Sequence, residues 1–171
     1  MIPPPSPTPE LSRTVPLSRL GAESEHLVEA TPAECAVVAA RLGIPAVVSL
    51  SCAFELRQDE RGVNAAGRLR AVVVRECVVS LEPFESAVQE NFQIRFVPSD
   101  GDREAGDEDP LSIDELPFFG STIDLGEAAV EQLALALDPY PRRPDAVLAD
   151  SNLPEPDGHP LAALARLRPN G

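Results

Sequence analysis

Read as a pattern of apolar and polar positions, the middle of the chain alternates with a period of two. Val48, Leu50, Cys52, Phe54 and Leu56 fall on one side, and Ser49, Ser51, Glu55 and Arg57 on the other. A half-buried strand has this repeat, because successive side chains point to opposite faces of the sheet. A polar stretch, Gln58 to Asn64, separates it from a second strand ending near Cys77, in which Leu69, Ala71 and Val73 alternate with Arg68, Arg70 and Val72. A third runs from Phe84 to Val97 with Phe84, Val88, Phe92, Ile94 and Phe96 on one side. Glu90 interrupts that apolar side, and a bulge or strand end is expected there. The pattern predicts a three-stranded antiparallel meander.

Two shorter candidate strands precede it, Ser12 to Leu20 and His26 to Ala30, around a polar turn at Gly21 to Glu25. The period then changes. Thr31, Pro32 and Glu34 supply an N-cap, an N1 proline and an N3 acid before an Ala-rich run, which predicts a helix from Pro32 to Leu42 stopped by Gly43 and Pro45. A second helix is predicted from the Asp124 N-cap, with Leu125, Ala129, Leu133 and Leu137 on one stripe, ending before Pro141. The segment His159 to Arg168, containing LAALARL, predicts a short docking helix. Together these elements predict an α+β fold, one domain in which an antiparallel sheet packs against two main helices.

The flanking and connecting segments differ in composition. Residues 1–10 are mostly Pro, Ser and Thr and predict an extended, disordered leader ahead of a domain beginning at Leu11. Between Pro98 and Glu115, eight acids (Asp100, Asp102, Glu104, Asp107, Glu108, Asp109, Asp114, Glu115) face one Arg103. A run that repels itself and buries little predicts a mobile acidic loop over about 98–118. Arg142 to Gly158 is rich in Pro and Asp and predicts a loop.

Charge narrows the choice of partners. The chain has 171 residues and a formal net charge of −14, and all 14 basic residues are Arg. Phosphate neutralisation needs accumulated positive charge, so broad nonspecific binding to nucleic acid is disfavoured, and a basic protein partner fits better. Cys35, Cys52 and Cys77 are odd in number and widely spaced, which suits a reducing compartment. The opening MIPPPSPTPE lacks the charged and apolar regions of a secretory signal, and no apolar run approaches the ~20 residues of a membrane span. A cytoplasmic protein without membrane contact is expected.

Candidate chemistry is sparse. His26 and His159 are the two histidines, neither with a neighbouring motif, so no catalytic residue is assigned and the chain is not expected to be an enzyme. The cysteines are too scattered for a four-ligand zinc site, Cys52 reads as a core side chain, and neither metal nor cofactor is expected. Arg68, Arg70 and Arg75 share a strand, and Arg57 and Arg95 flank it, so a local basic face is possible. Such arginines also pair across strands, here with Glu55, Glu76 and Glu85. Few aromatics accompany them, which disfavours recognition by base stacking.

The stretch Arg75-Glu76-Cys77-Val78-Val79-Ser80-Leu81-Glu82-Pro83-Phe84 resembles the central motif of the YceD family, Arg-x-Cys-x-x-Cys-Leu-x-Pro, which ends one strand and turns into the next. Three further pieces follow in the family's order: the Ile123 to Glu127 helix start with Asp124, LALALDPYPRRP from Leu133 to Pro144, and the closing HPLAALARL. The likeness spans Leu11 to the C-terminus and follows the alphaproteobacterial style, with an acidic insert before the helix. Arg75, Cys77, Leu81, Pro83 and Asp124 carry the motif. Many relatives have Cys where this chain has Ser80, and some have Cys at Arg142 or Arg143; a metal site built on those cysteines would be lost here. The resemblance implies a bacterial factor supporting synthesis, processing or stability of the large-subunit (23S) ribosomal RNA. It implies as partners that RNA or a pre-ribosomal particle, with a basic large-subunit ribosomal protein as a further possibility. Direct RNA contact would fall on Arg68, Arg70, Arg75, Arg142 and Arg143. The alternative is an acidic chaperone or adaptor that binds a basic ribosomal protein or an RNA-processing enzyme through the loop from Asp100 to Glu115.

Overall fold

The computed structural model describes residues 10–99 and 114–147. The chain forms β1 (Thr14–Pro16), a short 3-10 turn (Leu17–Arg19), β2 (Ser24–Glu29), α1 (Pro32–Leu42), β3 (Ala46–Asp59), β4 (Gly62–Glu76), β5 (Pro83–Pro98), β6 (Asp114–Phe118), β7 (Thr122–Asp124) and α2 (Leu125–Ala136). The expected α+β architecture is present. Its main sheet is larger than the meander: five strands in the order β2-β3-β4-β5-β6, antiparallel except for the parallel pair β5 and β6. β1 and β7 form a separate two-stranded ribbon.

Local sequence sets the helix ends. Thr31 accepts from the Glu34 amide while the Glu34 carboxylate takes the Thr31 amide at 2.8 Å, and Gly43 closes α1 at φ 65. Only glycine adopts that left-handed cap at little cost. Asp124 caps α2 and does more. Its Oδ1 accepts from the amides of Gly126 (2.9 Å), Glu127 (3.3 Å) and Arg13 (2.8 Å), and its Oδ2 from the Ser12 hydroxyl (2.6 Å). One carboxylate thereby ties the start of the domain to the second helix. Gly126 lets that strand pass, since a Cβ there would stand 2.5 Å from the Leu11 carbonyl oxygen.

Both helices cover one face of the sheet. The core runs from Leu50, Cys52, Phe54 and Leu56 on β3, through Val63, Leu69 and Val73 on β4 and Ile94 and Phe96 on β5, to Val38 on α1 and Val130 and Leu133 on α2. Leu11 is fully buried with them. Ion pairs lash the helices over this face. Arg13 grips Glu34 with both terminal nitrogens at 2.8 and 3.0 Å, and Arg41 on α1 bridges Glu10 and Glu127, each at 2.7 Å.

Several expectations need correction. The first strand is only Thr14–Pro16, because the chain enters a 3-10 turn at Leu17, whose amide makes the last bond to the partner segment, to the Ser121 carbonyl at 2.9 Å. The second begins two residues early, at Ser24, pairing with Leu56. β3 contains the bulge, between Val47 and Ser49, so Val47 is buried and Val48 is 55 % exposed. No irregularity occurs at Glu90, where the β4–β5 register is unbroken from Val63 opposite Phe96 to Glu76 opposite Pro83. The turn after β3 is shorter than Gln58 to Asn64: strands run to Asp59 and from Gly62. At the far end of the acidic stretch, Asp114–Phe118 is a strand rather than loop, its Leu116 and Phe118 facing the core side. The leader over 1–9, the acidic residues 100–113 and the segment His159 to Arg168 lie outside the described residues.

Candidate functional site

Four of the resemblance-bearing residues, Arg75, Cys77, Leu81 and Pro83, meet the segment after α2 at one corner, where β4 turns into β5, while Asp124 sits at the other end of α2. The turn is closed by Cys77 N–H donating to the Glu82 carbonyl at 2.9 Å and Leu81 N–H to the Cys77 carbonyl at 2.8 Å. Leu81 has φ 57, the left-handed region that a branched side chain rarely occupies, and is 70 % exposed. Arg75 reaches across to donate from Nη1 to the Asp138 carbonyl at 2.7 Å, and Val78 N–H donates to the Pro141 carbonyl at 2.9 Å. Sequence positions more than sixty residues apart are thus held as one structure.

Cys77 is the centre of that corner. Its sulfur is buried and accepts from the Arg143 amide at 3.4 Å and the Ser80 amide at 3.5 Å. The Arg143 amide, then the Ser80 hydroxyl and amide, lower the thiol to about 6. Donors aimed at sulfur favour the thiolate. Burial does the opposite to Cys52, pushing it up to about 12. Arg143 is committed too, with its guanidinium on Glu82 and Asp145. Arg142 is exposed, next to the exposed Tyr140. Beside the corner, a cleft of about 520 Å³ runs between the end of α1, Arg75, Val78 and the residues after α2. Its walls are largely apolar, with Arg75, Glu76 and Asp138 as the charged residues among them.

The expected basic face divides. Arg68 and Arg70 do lie on the open face of the sheet, with Arg57 and Arg95 beside them. Arg75 does not. A strand alternates faces, and five positions from Arg70 place Arg75 with Leu69, Ala71 and Val73 on the covered side, where it is 9 % exposed. The pairing across strands is partly as expected. Arg68 meets Glu55 at 3.0 Å, whereas Arg57 meets Glu23 at 3.2 Å and Arg95 meets Asp59 at 3.6 Å. Arg70, opposite Ser51 and Gln89, makes no ion pair among the described residues. Reading the register outward, the open face carries four arginines (57, 68, 70, 95) among seven acids: Glu25, Glu29, Glu55, Asp59, Glu76, Glu85 and Glu115. It is not a positive surface.

His26 and Cys77 lie at opposite ends of the sheet. His26 is in register with Phe54 and Gly67, and Cys77 is ten residues further along, on the order of 30 Å at the strand's rise. They cannot act on one substrate atom. His159 lies outside the described residues. Among the described residues no three of His, Cys, Asp and Glu are grouped as metal ligands, and no helix is long and apolar enough to cross a membrane.

Sequence reasoning missed what the motif does internally. Arg75 shares its strand with Arg68 and Arg70, but the parity of positions 69, 71, 73 and 75 places it on the buried side. Nothing local signalled its carbonyl partner at Asp138, which arrives from after α2. Comparison with known proteins follows the same corner: no curated protein and no solved structure matches the chain, but the family model described as large ribosomal RNA subunit accumulation protein YceD matches residues 65–167. That span takes in most of β4, the Cys77 turn, α2 and the residues that pack back on Arg75, and the chain belongs to the YceD family.

Proposed function

We propose that the protein supports accumulation of large-subunit (23S) ribosomal RNA as a non-enzymatic binding factor, and that its direct contact is a basic protein component of the pre-ribosomal particle. The observation that carries this reading is the state of the arginines on the open sheet face. Arg57, Arg68 and Arg95 each face an acid within 3.2, 3.0 and 3.6 Å, and acids outnumber arginines on that face. A surface that binds RNA draws its affinity from free cations that displace condensed counterions. Here that supply is already spent on Glu23, Glu55 and Asp59, in a chain of net charge −14. Such a field attracts and orients a positively charged partner.

Direct RNA contact is the second reading, favoured by Arg70, which has no acidic partner among the described residues, and by the exposed Arg142. Replacement of both Arg68 and Arg70 by Glu separates the two. Under the proposal, recovery of the particle from cells is maintained or strengthened. Loss of RNA retention by the purified R68E/R70E protein would establish the RNA reading instead.

A further inference from the structure

The main sheet has a free side among the described residues. β6, five residues long and carrying Pro117, blunts one edge. β2 forms the other, paired with β3 on its inner side and with no described strand on its outer side. An unpaired edge exposes backbone donors and acceptors that accept another strand, and proteins block such edges with prolines, bulges or inward-pointing charges. Ser24–Glu29 has neither proline nor bulge. Arg13 closes only its end, donating from Nη2 to the Glu29 carbonyl at 3.0 Å.

The side chains of β2 specify what fits. Glu25, Leu27 and Glu29 share the open face of the sheet, two residues apart, and Leu27 is 64 % exposed. Neither Glu25 nor Glu29 has a side-chain ion pair among the described residues, and Glu25 stands opposite Glu55, another acid. Directly opposed residues on neighbouring strands contribute favourably when charges are opposite and unfavourably when they are alike. A second copy pairing β2 to β2 would set acid against acid, so the edge rejects itself. A strand with basic, apolar and basic side chains on one face would match acid, leucine and acid.

We infer that β2 is a docking edge for an extended basic segment of another protein, which adds to the sheet as a sixth strand with cationic side chains against Glu25 and Glu29 and an apolar one against Leu27. This rests on the proposed protein-binding function and names where and how the partner is held. Main-chain hydrogen bonds provide the affinity and the alternate side chains the selectivity.

The test uses the full chain and the synthetic peptide Arg-Thr-Val-Thr-Arg-Thr-Val-Thr-Arg, with the same peptide N-methylated throughout as a control that keeps the charge and removes the amide donors. The expected result is saturable binding that shifts the β2 backbone amides, is lost with the methylated peptide, and weakens about tenfold or more in Glu25→Arg/Glu29→Arg, since two favourable cross-strand pairs become repulsive. Unchanged circular dichroism and melting temperature confirm that this variant folds. Equal binding of the methylated peptide, or no loss in the double variant, would reduce the effect to general acidity and overturn the inference. Protection of the outward amides of Glu25, Leu27 and Glu29 in the free protein would overturn it as well, by showing the edge already occupied, whereas the alternate amides are bonded to β3 in any case. The parent reading fails separately: if E25R/E29R still recovers a ribosomal protein from cells, only the docking edge is wrong, and if the unaltered chain recovers none, the protein-binding function is wrong.

Discussion

A few residues in this protein have roles that their neighbours force on them. Gly67 is one. It sits between Phe54 on β3 and Phe92 on β5, and a Cβ there would stand 2.0 Å from the Phe92 ring, which lies across the bare backbone. Phe54 and Phe92 meet edge to face with centroids 5.7 Å apart. Gly67→Ala therefore displaces the ring and is expected to cost about 1–3 kcal/mol in denaturant unfolding. Combined with Phe92→Ala, its added cost should shrink by at least about 0.5 kcal/mol, because the obstructing ring is gone; strict additivity would contradict the contact. Cys77 is another. With its folded-state pKa lowered from 9.0 to about 6, it binds fewer protons folded than unfolded between those values. Its contribution to stability is then complete above about 9 and is lost as pH falls through about 6. The expected readout is thiolate absorbance in the native protein with a midpoint near pH 6, absent in Cys77→Ser, and a stability gap between the two that widens from pH 6 to 9.

At the scale of elements, the sequence was most readable where one local rule decided the outcome. The box Thr31-Pro32-Ala33-Glu34 and Gly43 bound α1 at Pro32–Leu42, and Asp124 starts α2, because cap chemistry lies within a few residues of chain. The strands of the meander were legible for the same reason, through a repeat of two. What sequence did not reveal were irregularities and long-range partners. Val47 and Val48 are both apolar, so hydrophobicity alone could not say which one the bulge would bury. β6 was obscured by Asp114 and Glu115, whose charges belong to its start while Leu116 and Phe118 pack inward. Asp124 was visible as a cap but not as the acceptor for Ser12 and Arg13, 112 and 111 residues away. Asp124→Ala should thus cost more than a simple N-cap, about 2–3 kcal/mol, with Asp124→Asn intermediate. A loss below about 1 kcal/mol would show that the tie to Arg13 and Ser12 contributes little.

For the molecule as a whole, the family corner and the proposed docking edge are different places. Arg75 Nη1, the Cys77 sulfur and the Asp124 carboxylate bond inside the protein, to Asp138, to Arg143 and Ser80, and to Gly126 and Arg13. They form an internal frame. Among the candidate contacts, Arg75 belongs to that frame and Arg143 is held by Glu82 and Asp145, which leaves Arg68, Arg70 and Arg142 on the surface. Replacing Arg68 also frees Glu55, so R68E/R70E makes the open face more acidic, and under the proposed function association with a basic partner is maintained or strengthened at low salt. The most direct measurement is recovery of the tagged protein from its own cells at low and moderate salt, with and without ribonuclease, reading protein and RNA in the eluate. A basic large-subunit ribosomal protein that remains after ribonuclease treatment and weakens as salt rises is the predicted result. Large-subunit ribosomal RNA that binds the purified protein directly, with no protein surviving ribonuclease, would contradict it.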